Sequence, residues 1–337
     1  MQWKDEICIS AVFAVSMMIC ANDARAAGEQ WHLTGPYSFE NLSIFLVHAE
    51  DATDTENVLP LDEAIAKGCL TVFETGNVGE LEVENTSDFP VYIQSGSVVK
   101  GGRQDRMLPH DIIVAARSGR KPLASFCVEQ GRWSARGNES DRVFEVAPGL
   151  IADREILMAA KVEESQSKVW AGVATKVDKF SSHVRGGRAA SPLSPSSLPM
   201  ALENEDIRTK TRLYVESITS QTSPYVDAVG LVVVINGKVS SADLYRGRTL
   251  FAKLFPQLID AAAIEALATS TDEGGEDQIT TEEVETWLSN AGKGDTQLKS
   301  LGGAIYLRSV ESENAISFES LSDTTGNRWI HKNILSK

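Results

Sequence analysis

The sequence predicts an α+β protein with an antiparallel strand-rich N-terminal part and a helix-rich C-terminal part that contains a β-hairpin. Short β-like runs separated by Gly, Asn and Asp occupy most of residues 70–128, a pattern typical of antiparallel strands. In the C-terminal part of the chain, most apolar residues recur at helical spacing. Strands and helices are therefore grouped and do not alternate strictly, which favours α+β over a doubly wound parallel sheet.

The N-terminal part begins with a predicted strand over residues 42–47 and a short helix over residues 61–67, which ends at Gly68. The runs that follow alternate apolar and polar side chains, as expected for antiparallel strands with one buried face. These predicted strands are residues 70–74, 80–84, 90–94, 97–100, 112–115 and 123–128.

Residues 152–179 change to a helical period and predict one long amphipathic helix. Residues 186–202 are rich in Gly, Ser and Pro, so they are expected to form an exposed, mobile linker. We therefore expect a strand-rich lobe over residues 35–184, a linker over 185–202 and an α/β lobe over 203–335, with both lobes in one domain.

The run over residues 229–245 is the clearest element of the C-terminal part. Two strand-like segments flank Asn236-Gly237, the residues that a type I′ hairpin turn prefers. Three helices and two further strands complete the prediction: helices over residues 203–220, 250–268 and 281–290, and strands near residues 304–308 and 315–318.

Residues 1–26 have the order of a cleavable signal peptide. An apolar run over residues 7–21 follows Lys4 and precedes Ala24-Arg25-Ala26. This run is shorter than the about 20 apolar residues of a membrane-spanning helix. We therefore expect an exported product, periplasmic or secreted, without a membrane anchor in the mature form. An uncleaved N-terminal helix and lipoprotein processing at Cys20 are the open alternatives.

The net charge and the spacing of the histidines limit the ligands and partners that the sequence predicts. The net charge of −15 argues against nucleic acid, since phosphate backbones require clustered Lys and Arg. The five histidines have neither HxH nor HExxH spacing, so we expect no metal site and no cofactor. Whether Cys69 and Cys127 are bridged stays open, because a disulfide depends on the distance between their Cα atoms.

The acidic run over residues 272–283 resembles a calcium loop only in part. Position six is Asp277 where a calcium loop has glycine, and position three is Gly274, which offers no side-chain ligand. The preferred interpretation is an acidic surface loop that leads into a Thr280–Glu283 capping box.

The most unusual stretch lies between residues 96 and 133. It contains GGRQDR at residues 101–106 and FCVEQGRW at residues 126–133. A Gly-Gly pair beside arginines can present backbone N–H groups to an anion while guanidinium groups bind it through two hydrogen bonds. Trp133 is either a platform for stacking a ligand ring or a core aromatic residue. The alternative for the whole stretch is a set of tight turns with solvated charges.

Three residues of this stretch are candidates for catalysis. Cys127 can be a nucleophile with His110 or His183 as its base, but its apolar surroundings favour simple burial. Glu129 and Asp105 are candidate general acids or bases.

These motifs together resemble the ARPP domain family over roughly residues 35–335. The resemblance is carried by GGRQDR, FCVEQGRW, a helix containing KVW, VGLVVVINGKVSSADLY and LFAKLFPQLI. The family name refers to ADP-ribosylglycohydrolase and rhodanese-phosphatase proteins, so the resemblance implies a link to ADP-ribose or nucleotide-derivative metabolism. The chain differs at Ser97, where the resemblance predicts an acidic residue. The positions that carry over are Gly101, Gly102, Gln104, Asp105, Arg106, Glu129, Gly131, Arg132 and Trp133.

The leading hypothesis is a ligand-binding or accessory protein with a site for a phosphate-like or ADP-ribose-like anion. One alternative is a hydrolase acting on phosphate or ADP-ribosyl-type substrates, with Glu129 or Asp105 as general base. A second alternative is a purely structural envelope or secreted protein. Protein partners and oligomeric state stay open. The residues expected to bind the anion are Gly101, Gly102, Gln104, Arg106, Arg132 and Trp133.

Overall fold

The computed structural model describes residues 31–50, 58–222, 227–270, 279–302, 305–322 and 328–337. The expected signal peptide, Cys20 and residues 272–278 of the acidic run lie outside the described residues. Residues Trp31–Lys337 belong to one compact unit. Among the described residues, no helix is both long enough and apolar enough to cross a membrane.

Strands and helices are numbered here in chain order. The strands are β1 (His32–Phe39), β2 (Leu42–His48), β3 (Leu59–Pro60), β4 (Leu70–Asn77), β5 (Glu80–Asn85), β6 (Val91–Ile93), β7 (Ser97–Gly101), β8 (Arg106–Met107), β9 (Ile112–Val114), β10 (Ser118–Ala124), β11 (Phe126–Cys127), β12 (Phe144–Ile151), β13 (Ala228–Ile235), β14 (Lys238–Tyr245), β15 (Asp295–Gly302), β16 (Ile305–Glu311), β17 (Ala315–Ser322) and β18 (Arg328–Ser336). The helices are α1 (Leu61–Ala66), α2 (Arg154–Lys161), α3 (Gln166–Ser181), α4 (Leu198–Leu202), α5 (Glu205–Thr222), α6 (Arg248–Thr269) and α7 (Thr281–Ala291).

The largest sheet has eight antiparallel strands in the order β1-β2-β13-β14-β18-β17-β16-β15. Strand β13, AVGLVVVI, is buried along its whole length, as expected for an apolar central strand. It pairs with β14 through the turn at Asn236 and Gly237, which have φ of 51° and 71°. A type I′ turn requires positive φ at both positions, so the predicted hairpin is confirmed.

The N-terminal part is rich in short strands, and the α+β prediction is confirmed. It contains the sheets β10-β5-β4, β11-β8-β7-β12 and β3-β6-β9. Strands β7 and β8 are antiparallel, and the GGRQDR motif forms the turn between them. Strand β11 pairs with the other edge of β8, which brings FCVEQGRW beside the same turn.

One prediction in this region is wrong: residues 152–179 form two helices instead of one. Asp153 caps α2 by accepting a hydrogen bond from the Ile156 N–H group. Ser165 caps α3 in the same way through the Lys168 N–H group. Glu164 between them has φ of 46°, which no helical residue adopts. The second cap and this backbone conformation end α2 before α3 begins.

The expectation of an exposed linker over residues 186–202 is wrong for the second half of this segment, whereas residues 186–188, 192 and 193 are exposed. Ser194, Ser197, Leu198 and Ala201 are buried, and the last two lie in α4. Ser and Pro suggested a solvated chain, but the serine hydroxyls bind buried carboxylates, and the apolar residues of α4 join the main core. Composition alone cannot reveal such partners.

A buried polar cluster connects the large sheet to the N-terminal part. His331 of β18 is fully buried between two carboxylates, with its Nδ1 3.0 Å from Asp111 Oδ2 and its Nε2 2.9 Å from Asp243 Oδ1. Asp111 Oδ1 also accepts hydrogen bonds from the Tyr92 hydroxyl and the Ser95 N–H group. Burial by itself lowers the pKa of His331, but Asp111 and Asp243 outweigh burial and raise that pKa to about 9.

We expect this cluster to make stability depend on pH. Because the folded pKa of His331 lies above the unfolded value of about 6.5, its stabilisation is complete below that pH and is lost as pH rises through about 9. The shift corresponds to about 3 kcal/mol. Burial lowers the pKa of Lys161 and Lys176 to about 8, so these groups gain stability as pH rises and oppose the loss at His331. The difference in urea unfolding free energy between the wild type and His331→Gln should therefore shrink between pH 6 and pH 10. His32→Gln, an exposed residue in the same sheet, is the control. A difference that does not change with pH over this range would contradict the assignment.

Candidate functional site

The site is built around the Gly-Gly turn between β7 and β8. Gly101 and Gly102 have φ of 115° and 53°, which side-chain-bearing residues rarely adopt. A Cβ atom on Gly102 would lie 2.3 Å from the Phe144 ring. The turn closes through a hydrogen bond from the Gly101 N–H group to Asp105 Oδ1 at 3.0 Å. Only glycine therefore allows this turn to lie so close to β12.

Two carboxylates, Asp105 and Glu129, are completely buried beside this turn. The Asp105 N–H group donates to Glu129 Oε2 at 2.9 Å. Arg136 bridges the two side chains. Its Nη1 donates to Asp105 Oδ2 and to Glu129 Oε1, both at 2.9 Å, and its Nη2 donates to Asp105 Oδ1 at 2.7 Å. One guanidinium group thus holds both carboxylates in place.

Arg132 fastens the turn to Glu129. Its Nε donates to Glu129 Oε1 at 2.7 Å, its Nη2 to the Gly101 carbonyl at 3.0 Å, and its Nη1 to the Gly102 carbonyl at 2.9 Å. The side chain is only 9% exposed. In this conformation all three nitrogens of its guanidinium group are used within the protein.

Two serines from the segment between α3 and α5 complete the cluster. The Ser197 hydroxyl donates to Asp105 Oδ2 at 2.6 Å and also caps α4. The Ser194 hydroxyl donates to Glu129 Oε1. We call Asp105, Glu129, Arg132, Arg136, Ser194 and Ser197 the carboxylate cluster.

The two carboxyl groups of the cluster differ in pKa. For Asp105, burial is the largest effect and raises the pKa, and the neighbouring charge of Glu129 adds to it against the opposing effect of Arg136. Burial also acts to raise the pKa of Glu129, but hydrogen bonds from Arg132 and Ser194 outweigh burial and lower it. Glu129 is therefore the carboxyl group that ionises more readily, and a pair with divergent pKa values is a recognised arrangement for acid–base chemistry.

Trp133 and two arginines lie next to the cluster. Arg106 is fully buried; its Nη1 donates to the Gln104 carbonyl at 2.9 Å, and its Nη2 lies 3.6 Å from Glu74 Oε2. The Arg103 guanidinium lies 5.5 Å from the centre of the Trp133 ring, and the Arg106 guanidinium lies 5.9 Å from it. Trp133 is 44% exposed. We call Arg103 and Trp133 the Arg–Trp surface.

The expected site residues therefore divide into two groups. Asp105, Glu129 and Arg132 belong to the carboxylate cluster, which holds the turn at Gly101 and Gly102, whereas Arg106, Trp133 and the Gln104 carbonyl lie beside it.

Cys127 and Cys69 are both free thiols. Burial raises the pKa of the Cys127 thiol to about 11, and its sulfur lies 3.9 Å from the Val78 carbonyl, its hydrogen-bond acceptor among the described residues. No hydrogen bond joins it to His110 or His183 within the described part of the chain. In the same residues, no group of three or more His, Cys, Asp or Glu side chains is arranged to hold a metal ion.

Arg136, Ser194 and Ser197 were not predicted from the sequence. Arg136 lies in the irregular loop between β11 and β12, and no local pattern distinguishes it from Arg142 of the same loop. No sequence signal identified the serines, because their carboxylate partners are 65 and 92 residues away.

This geometry defines an α+β protein whose glycine turn is closed by a buried cluster of carboxylates and guanidinium groups. A family model described as ARG and Rhodanese-Phosphatase-superfamily-associated Protein domain (ARPP-1) matches residues 30–335. The chain belongs to this family, and the resemblance expected from its motifs is confirmed. Comparisons with curated proteins and with solved structures gave no match.

We expect Arg136→Ala to destabilise the fold strongly. Removing one partner of a buried ion pair typically costs about 3–5 kcal/mol, because the remaining charges lose their compensation. Arg142→Ala is the matched control, since Arg142 is an arginine of the same loop with a side chain that is 90% exposed. The free energy of unfolding in urea measures both changes. A loss below about 1 kcal/mol for Arg136→Ala would mean that the cluster does not hold the turn.

Proposed function

We propose that this chain is an exported ligand-binding or accessory protein whose anion site is centred on the Arg–Trp surface. The observation that carries the proposal is the position of Arg103. The half-buried Arg103 side chain lies against the exposed Trp133 ring, and its guanidinium forms no ion pair with a described residue. The backbone N–H of Arg103 donates to Glu74 Oε2 at 3.1 Å, which fixes the main chain. A guanidinium without an ion-pair partner beside an exposed aromatic ring suits a ligand that carries both a phosphate and a planar ring.

The other arginines support this site indirectly. Arg132 is occupied with Glu129 and the glycine carbonyls, so it holds the turn in shape. Arg106 is buried against the Trp133 ring, and its Nε has no hydrogen-bond partner among the described residues. Glu74 compensates the charge of Arg106, so Arg106 supports the site by packing against the ring. The backbone of the turn positions Arg103 and Arg106, and this turn contains Gly101, Gly102 and Gln104.

Different observations support the proposed ligand class and the proposed location. Membership of a family named for its association with ARG and rhodanese-phosphatase proteins favours an ADP-ribose-like ligand over a simple anion. The signal-peptide pattern of residues 1–26 supports a periplasmic or secreted location.

Binding measurements test this proposal. The protein lacking residues 1–26 should bind ADP-ribose, and it should bind ADP and ribose 5-phosphate more weakly than ADP-ribose. Binding should quench the fluorescence of Trp133. Arg103→Gln and Trp133→Ala should each weaken binding at least tenfold, which corresponds to about 1.4 kcal/mol. Both side chains are partly exposed, so the fold should survive. Arg142→Gln is the control for a general change in charge. Unchanged affinity in both Arg103→Gln and Trp133→Ala would refute the site.

A hydrolase is the second candidate, favoured by one observation: two adjacent carboxyl groups whose pKa values move in opposite directions. In this arrangement Glu129 is the base and the guanidinium groups stabilise developing negative charge. Both carboxylates are enclosed by Ser194 and Ser197, so a substrate can reach them only if that segment moves.

Turnover separates the two candidates. Release of phosphate or ADP-ribose from phosphate esters and ADP-ribosyl compounds, lost in Glu129→Gln but kept in Arg103→Gln, would establish the hydrolase. Binding of ADP-ribose without turnover, lost in Arg103→Gln, supports the binding protein. If neither binding nor turnover occurs, the structural alternative is favoured, and Arg132→Ala should then change only the melting temperature.

A further inference from the structure

A groove of about 890 Å³ lies between β12 and the helices α4, α5 and α6, apart from the residues of the carboxylate cluster and the Arg–Trp surface. Its size falls within the range of about 300–1,000 Å³ that is usual for small-molecule sites. The apolar part of its lining is formed by Leu150, Leu202, Val215 and Ile264. The groove can therefore hold a ligand of several carbon atoms in contact with side chains from four elements.

Asp260 of α6 is the unusual group in this lining. Its side chain is partly buried, yet it makes no hydrogen bond or ion pair with any described residue. Its carboxylate lies against Gly149, where a Cβ atom would come within 2.5 Å of Oδ2. Burial raises the pKa of Asp260, and no basic side chain of a described residue offsets this. An uncompensated, partly buried carboxylate costs free energy that a bound cation would recover.

The lining also contains three basic side chains, Lys100, Arg208 and Arg212. Lys100 pairs with Glu203 and lies 3.4 Å from Glu139. Arg212 lies 3.6 Å from Glu216. None of the three forms an ion pair with Asp260, and burial alone accounts for the raised pKa of Asp260.

Thr211 supplies a second polar side chain to the lining of the groove. Its Oγ1 atom is buried, belongs to the lining of the same groove, and has no hydrogen-bond partner among the described residues. A hydroxyl oxygen and a carboxylate both accept hydrogen bonds, and an ammonium group provides three donors. Buried polar atoms normally have partners. Because Thr211 Oγ1 is buried in this conformation, an ammonium group in the groove contacts it only after the Thr211 side chain rotates.

We propose that the groove binds a small organic cation, with its ammonium head on Asp260 and its apolar body against Leu150, Leu202, Val215 and Ile264. This site is separate from the Arg–Trp surface and has the opposite charge preference.

Calorimetry with simple probes tests this proposal on the protein lacking residues 1–26. At neutral pH, butylamine, hexylamine and octylamine should bind with affinity that rises about fourfold for each added CH₂ group. Octanoate and octanol should bind at least tenfold more weakly than octylamine. Equal affinity for octanol, or preference for octanoate, would overturn the proposal.

Variants identify the residues. Asp260→Asn keeps the shape of the side chain and should weaken octylamine binding at least tenfold without lowering the melting temperature. Asp88→Asn, a change of the same type at an exposed acid, should leave binding unchanged. Val215→Phe should also weaken binding, because it fills part of the groove. Wild-type affinity in Asp260→Asn would refute the site. Arg103→Gln should leave octylamine binding unaltered, which keeps this test independent of the proposed anion site.

Discussion

Burial of two neighbouring carboxylates is the constraint on which this part of the structure depends. Asp105 and Glu129 cannot both be removed from water beside each other unless cations and hydroxyl groups compensate them. Arg136 supplies the bridging charge, and Ser194 and Ser197 fill the remaining acceptor positions. The turn between β7 and β8, the polar loop after β11 and the segment before α5 are therefore held together by one set of interactions.

A second buried set of charges plays a similar part at the large sheet. His331 lies between Asp111 from the N-terminal part and Asp243 from β14, so one imidazolium links elements that are far apart in sequence. In both sets, every charged side chain has an oppositely charged neighbour. Asp260 has no such neighbour among the described residues. Its position in an open groove therefore supports the proposed site for an organic cation.

The arrangement also separates structural arginines from arginines available to a ligand. From a Gly-Gly-Arg motif, every nearby arginine is an equal candidate for binding an anion, because sequence does not show which guanidinium groups are already paired. In the folded protein Arg132 is occupied by Glu129 and the carbonyls of the turn, whereas Arg103 lies on the exposed face of Trp133. Glu139 pairs with both Arg136 of the carboxylate cluster and Lys100, which lines the groove. The carboxylate cluster and the groove are therefore connected by ion pairs.

The sequence by itself determined the features that depend on near neighbours in the chain. The hairpin at Asn236-Gly237, the capping box before α7 and the short strands of the N-terminal part follow from turn chemistry, capping residues and period. Tertiary structure decided which polar residues are buried, as in β18, RWIHKNILS, which was not predicted and whose His331 and Asn333 are both buried. It likewise decided that Ser194 and Ser197 are core residues. Burial of a polar group depends on a partner that the fold brings close, and local sequence carries no record of a partner many residues away.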